Sequence, residues 1–171
     1  MVPPKIKTFI WRACIDSLPL HTKLFDRKIS NLFSCGFCFE EAEIGTYLFW
    51  ECSFAQAIWL QAPSWNYFCL PNHVSFIDTL DTAITKLSSA DFDTICITCR
   101  MIWNCCNKLL FENKLPSSKD LWARADQYRL EFLEVHKKTI QVDLASLPKW
   151  HPPSSNSIHK LNLAISQLII T

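Results

Sequence analysis

Apolar residues recur along much of this chain at helical spacing, and the clearest stretch predicts one continuous helix over residues 91–113. Its apolar stripe consists of Phe92, Ile95, Cys96, Cys99, Ile102, Trp103, Cys106, Leu109 and Leu110. Asn113 and Pro116 suit the end of that helix. We expect Cys96, Cys99 and Cys106 to be buried, because they lie within the stripe.

Shorter helices are predicted before it. Pro4 opens the first, which carries Phe9 on its apolar face and is expected to end at Pro19. A second short helix carries Leu24, and a third is expected over residues 43–51.

Helix-capping patterns mark further helix starts. A serine followed three residues later by an amide or acid occurs at residues 53–56 and 75–78. Ser117 or Ser118, with Asp120 in the first turn, is expected to begin a last long helix.

Together these patterns predict a mostly α fold. It would be a small helical domain with a Cys-rich turn resembling a zinc knuckle, followed by long C-terminal helices and a short terminal strand. We divide it into a Cys-rich region at residues 2–62, a helical connector at 63–147 and a linker with a truncated end at 148–171. Only two glycines occur and no Gly-rich phosphate loop, which disfavours nucleotide-binding enzyme folds.

Charge is nearly balanced overall, with a formal net charge of +1, so no global basic field indicates a polyanionic partner. The distribution is uneven, because the first thirty residues are rich in cations. These are Lys5, Lys7, Arg12, Lys23, Arg27 and Lys28. They either contact phosphate in RNA or DNA or form a solvated helix face.

The chain has nine cysteines, and neither a secretory leader nor a membrane-spanning run is recognisable. We therefore expect the thiols to be in a reducing environment. We therefore expect an intracellular protein with no membrane partner, in the nucleus or the cytoplasm. In that setting close cysteine pairs indicate metal before disulfide.

The strongest candidate for a metal site is the row Cys35-x2-Cys38-x8-Tyr47-x4-Cys52. A histidine in place of Tyr47 would complete the three thiolates and one imidazole of a closed structural zinc site. The alternative is three buried free cysteines. The second Cys-x2-Cys pair, Cys96 and Cys99, belongs to a helical stripe and is interpreted as core.

No catalytic signature accompanies these cysteines. The histidines are scattered without a His-x3-His pair, and no serine lies in a nucleophile-elbow pattern. We therefore expect that the chain is not an enzyme.

The region around the cysteines resembles the zinc-binding region of reverse transcriptases in plant LINE-type (non-LTR) retrotransposons. The resemblance rests on Val2-Pro-Pro-Lys-Ile-Lys-Thr-Phe-Ile-Trp-Arg-Ala, on Cys35-Gly-Phe-Cys38, and on Glu43, Leu48-Phe49, Cys52 and Trp59. It implies zinc held by Cys35, Cys38 and Cys52, with Tyr47 where the family has its histidine. It also implies contact with nucleic acid.

The end of the chain resembles the start of a fused ribonuclease H domain, through Trp150-His-Pro-Pro and His159-Lys-Leu-Asn-Leu-Ala164. Ala164 stands where that domain has its first metal-binding aspartate. The resemblance implies a non-enzymatic fragment of a retrotransposon polyprotein.

Three functions remain open on the sequence. The chain is a nucleic-acid-binding module, a structural remnant without metal, or a protein-interaction scaffold. The last would use exposed Trp50, Trp59 and Trp65 as anchors.

Overall fold

The computed structural model describes residues 1–63, 75–114 and 116–143, with side chains up to residue 137. These residues are mostly helical, as predicted. The elements are α1 (Pro4–Cys14), α2 (His21–Asp26), a π-helical turn (Tyr47–Glu51), α3 (Ser53–Trp59), α4 (Phe76–Lys86), α5 (Ser89–Glu112) and α6 (Leu121–Asp143). Not one of the helices in the described ranges is both long and apolar enough to cross a membrane.

Helix α5 is the centre of the structure, and it packs against α1, α4 and α6. Its start is capped by Ser88, whose hydroxyl accepts a hydrogen bond from the backbone N–H of Asp91 at 3.2 Å. Its end is set by Asn113, which adopts the left-handed conformation with φ 50°. The prediction of one continuous helix is confirmed, and Cys96, Cys99 and Cys106 are buried in it.

An aromatic cluster joins the π-helical turn and α3 to the rest of the core. The Phe49 ring lies 6.0 Å from Phe9 and 5.2 Å from Phe76, centroid to centroid. Trp50 and Trp59 stack at 5.0 Å, and the Trp59 indole N–H donates to the Phe49 carbonyl at 2.6 Å. Pairs of this kind contribute about 0.5–1.5 kcal/mol each beyond simple burial.

The expectation that Trp50 and Trp59 are exposed anchors is wrong. Their exposed fractions are 3 % and 0 %, because Trp50 packs against Phe76 of α4 and Trp59 packs against Trp122 of α6. Trp65, the third expected anchor, lies outside the described residues.

Other helix boundaries differ from prediction in instructive ways. Helix α1 ends at Cys14, before Pro19, because Asp16 adopts the left-handed conformation with φ 53°. Ser53 is already helical and caps nothing, since Cys52 occupies the N-cap position. Asp120 precedes α6 with φ 58° instead of lying in its first turn. The capping pattern at residues 75–78 is confirmed, with Ser75 accepting from the Asp78 N–H at 3.3 Å.

The division of the chain at residue 62 stays a prediction, although helices on its two sides, α1 and α5, pack directly together. The expected linker, terminal strand and ribonuclease H-like end at residues 148–171 lie outside the described residues.

Burial of the α5 cysteines leads to a prediction about thiol reactivity. Desolvation raises the pKa of Cys96 and that of Cys99, so the reactive thiolate is scarce at both. In the native protein, N-ethylmaleimide should modify half-buried Cys105 at least about tenfold faster than either residue. Mass-spectrometric mapping measures the rates, and urea should abolish the difference. Equal native rates at Cys96 and Cys105 would contradict the assigned burial.

Candidate metal centre

A tight hairpin positions the first two cysteines. The backbone N–H of Cys35 donates to the Glu41 carbonyl at 2.8 Å, and that of Glu43 donates to the Phe33 carbonyl at 2.8 Å. Between these bonds, Phe39 takes the left-handed conformation with φ 61° and donates to the Cys35 carbonyl at 2.9 Å. The chain therefore reverses within a few residues and turns Cys35 and Cys38 toward the same side.

The π-helical turn supplies the third cysteine. The backbone N–H of Cys52 donates to the Tyr47 carbonyl at 2.8 Å, an i to i+5 bond that widens the turn by one residue. The Sγ atoms of Cys35, Cys38 and Cys52 then lie within 4.8 Å of one another. The expected convergence of the three cysteines is confirmed, while their role as metal ligands stays a prediction.

Spacing of the sulfurs agrees with zinc coordination. Two thiolates on a tetrahedral zinc ion lie about 3.8 Å apart, because each Zn–S bond is about 2.3 Å long. The Sγ atoms of Cys35 and Cys52 are 3.6 Å apart and both residues are fully buried. Three soft sulfur donors close together, two buried and Cys38 half-buried, suit zinc.

Tyr47 lies beside the cysteine cluster. Its hydroxyl oxygen lies 3.0 Å from the Cys38 Sγ, and only 9 % of the residue is exposed. The hydrogen bond with Cys38 raises the pKa of the Tyr47 phenol. The group is therefore a neutral phenol at physiological pH, and it is a poor replacement for an imidazole.

A hydrogen bond between Cys35 and Cys52 changes the pKa of both thiols. Cys35 donates to Cys52, and this bond raises the pKa of Cys35 and lowers that of Cys52. Zinc would have to displace these protons, since only thiolates ligate it. The hydrogen bonds within the cluster therefore compete with metal binding.

Glu43 ties this cluster to the rest of the structure. Its carboxyl group, 1 % exposed, accepts hydrogen bonds from the backbone N–H groups of His21 at 3.1 Å and Gly36 at 3.3 Å. The thiol of Cys106 on α5 donates to the same carboxyl at 3.6 Å. One side chain therefore joins α2, the Cys35–Cys38 turn and α5. Sequence reasoning used Glu43 only for the family resemblance and missed this role.

His21 lies against the turn between the cysteines. Its Nδ1 is 2.8 Å from the Ser34 carbonyl, which only accepts, so Nδ1 carries the proton. The buried Nε2 has no hydrogen-bond partner among the described residues. Gly36 lies beside this ring, since a Cβ atom at that position would be 3.4 Å from His21 Cε1, which is van der Waals contact distance. His21 is nevertheless not part of the 4.8 Å cluster found in the described chain, which holds only the cysteines.

The six basic residues predicted to contact nucleic acid differ in their local surroundings. Lys5 and Arg12 line a groove beside α1, whereas Lys7 does not. Lys23 is paired with Asp16, and Lys28 lies 5.3 Å from the ring of Phe25. Arg27 is exposed. Their role in binding stays a prediction.

These features define a small helical domain with a knuckle-like cluster of three cysteines. Residues 1–59 match the family model described as zinc-binding in reverse transcriptase. The matched segment contains all three cysteines and Tyr47, and with the cluster it fits a zinc-binding module of a reverse transcriptase. No curated protein and no solved structure matches the chain.

Substitution of Glu43 should test the buried network. Glu43→Ala removes the acceptor of two backbone N–H groups and should lower the free energy of unfolding by about 2–4 kcal/mol. Glu41→Ala, at an exposed neighbouring position, should change it by no more than about 0.5 kcal/mol. Urea unfolding in the presence of a chelator, followed by circular dichroism, measures both. Equal stability of the two variants would show that the network is not stabilising.

Proposed function

We propose that this chain is a non-enzymatic zinc-binding module of the reverse transcriptase type that also contacts RNA or DNA. The observation that carries the proposal is the convergence of the three sulfurs of Cys35, Cys38 and Cys52, with the Tyr47 hydroxyl 3.0 Å from one of them. When bound, zinc would cross-link the hairpin turn to the π-helical turn. The protein's own residues supply the buried pocket and fix the sulfur positions.

Binding would be weak, because the ligand set is incomplete. The Tyr47 phenol holds its proton through the bond with Cys38, and the three cysteines must lose theirs before they ligate. An intact set of four donors provides on the order of 10 kcal/mol to folding. Three cysteines and a neutral phenol would provide much less.

We further propose that the chain is a fragment of a polyprotein from a plant LINE-type retrotransposon. The match of residues 1–59 to the reverse transcriptase family model supports the first part of this proposal. The pattern at residues 150–164 supports a ribonuclease H-like segment, with Ala164 in place of the first metal-binding aspartate.

A metal-free structural remnant is the second candidate. It is favoured by the two hydrogen bonds inside the cluster, from Cys35 to Cys52 at 3.6 Å and between Cys38 and Tyr47 at 3.0 Å. These bonds satisfy the polar atoms without a metal ion. The scaffold hypothesis has lost its main support, since two of its three tryptophan anchors are buried.

Zinc titration of Tyr47→His distinguishes the two candidates. The imidazole should restore a fourth donor and tighten zinc binding at least about 100-fold, measured with a chromogenic competitor. The melting temperature should rise only when zinc is present. Tyr47→Phe is the matched control, since it removes the hydroxyl without adding a donor, and it should show no gain.

Two results would contradict this expectation. If the unmodified protein already binds zinc as tightly as Tyr47→His, a group other than Tyr47 supplies the fourth ligand. If Tyr47→His shows no gain, the cysteines do not hold zinc and the structural remnant is favoured.

Catalysis on nucleic acid should be absent. Two-metal phosphodiester hydrolysis needs several carboxylates to hold its ions, and Ala164 replaces one that the ribonuclease H resemblance requires. Purified protein incubated with magnesium and a labelled RNA–DNA hybrid should release no more product than a buffer-matched control. Magnesium-dependent cleavage above that control would refute the non-enzymatic assignment.

A further inference from the structure

A groove with a volume of about 760 Å³ runs between α1 and α5, with residues 18–24 along one side. This volume lies within the range of sites that hold small molecules or short segments of larger ones. The groove is separate from the cysteine cluster, because none of the cluster residues lines it.

Three cations line the groove, and no carboxylate is found among its described lining residues. Lys5 and Arg12 come from one face of α1, and Arg100 comes from α5. Lys5 and Arg12 are seven residues apart, which places them about 10 Å apart along the helix. They can therefore contact different phosphates of one strand. Arg100 was not among the cations singled out from the sequence.

These charges are available to a ligand. Within the described chain, none of the three cations has a carboxylate within the 4.0 Å of a salt bridge, whereas Lys23, Lys114 and Arg129 each do. Aromatic rings hold two of them in place instead. The Arg100 guanidinium lies 5.1 Å from the centre of the Phe9 ring, and the Lys5 ammonium lies 5.3 Å from that of Tyr128. Such contacts orient a cation without neutralising it.

Apolar and hydrogen-bonding groups accompany the charges. Phe111, at the end of α5, is 79 % exposed and lines the same groove. An exposed ring beside cations is the arrangement on which proteins stack unpaired bases. Asn107 also lines the groove, and its side-chain amide can donate hydrogen bonds.

We propose that this groove binds single-stranded nucleic acid, with the backbone along Lys5, Arg12 and Arg100 and a base stacked on Phe111. The proposal rests on the nucleic-acid binding proposed above and assigns its site. A single strand is favoured over a duplex, because the bases of a single strand are free to stack on an exposed ring. An acidic peptide would match the cations but would leave the exposed ring without a role.

Fluorescence anisotropy of a labelled 12-nucleotide RNA or DNA with the full chain tests the proposal. Arg100→Gln should weaken binding about five- to tenfold and reduce the slope of log K against log salt by about 0.7. Phe111→Ala should weaken binding at least about fivefold without changing that slope. The matched controls are Arg124→Gln and Leu130→Ala, at exposed positions outside the groove, and both should bind like the unmodified protein.

Each outcome decides between hypotheses. If the unmodified protein does not bind, the proposed nucleic-acid function and its site both fail. If it binds but Arg100→Gln and Phe111→Ala bind equally well, only the groove assignment fails. If polyglutamate displaces the labelled strand as effectively as unlabelled RNA, the groove serves an acidic protein and the proposal is overturned. Because Phe111 is exposed, its variant remains informative if Arg100→Gln does not fold.

Discussion

The buried carboxyl group of Glu43 is the interaction on which the arrangement of the cysteine cluster depends. A carboxyl group removed from water is costly unless hydrogen bonds replace its hydration. Here it accepts from the backbone of His21 and Gly36 and from the thiol of Cys106. These donors belong to three segments far apart in sequence. The carboxyl group can be satisfied only when α2, the hairpin turn and α5 are all in place.

This arrangement explains how the cysteine cluster keeps its geometry without a metal ion. In an intact Cys3His site the metal ion itself holds the segments together. In this chain the hairpin is fixed by backbone hydrogen bonds and by Glu43, and the stacked rings of Phe37 and Phe54, 4.0 Å apart, join it to α3. The Tyr47 hydroxyl contacts the Sγ atom of Cys38 at 3.0 Å. These hydrogen bonds and the aromatic pair therefore stabilise the cluster without requiring metal.

Features set by neighbours in sequence were predictable, and features set by distant contacts were not. The α5 helix and the Cys35–Cys38 turn follow from local periodicity and spacing. The burial of Trp50 does not, because it depends on how the π-helical turn packs against α4. The same turn places Cys52 at the N-cap of α3, so Ser53 is the first helical residue and not the cap that its sequence pattern predicts. Nothing in the local sequence separates buried Glu43 from exposed Glu40 and Glu41.

The cysteine cluster and the groove are distinct, yet they share one segment. Leu18, Pro19 and Leu24, from the segment at residues 18–24, line one side of the groove. Within that same segment, His21 donates to the Glu43 carboxyl group, and the Thr22 hydroxyl donates to the Glu43 backbone carbonyl at 2.9 Å. Loss of order around Glu43 would therefore release the segment that forms the groove wall. The carboxyl group that organises the cluster also positions the surface where a strand would bind.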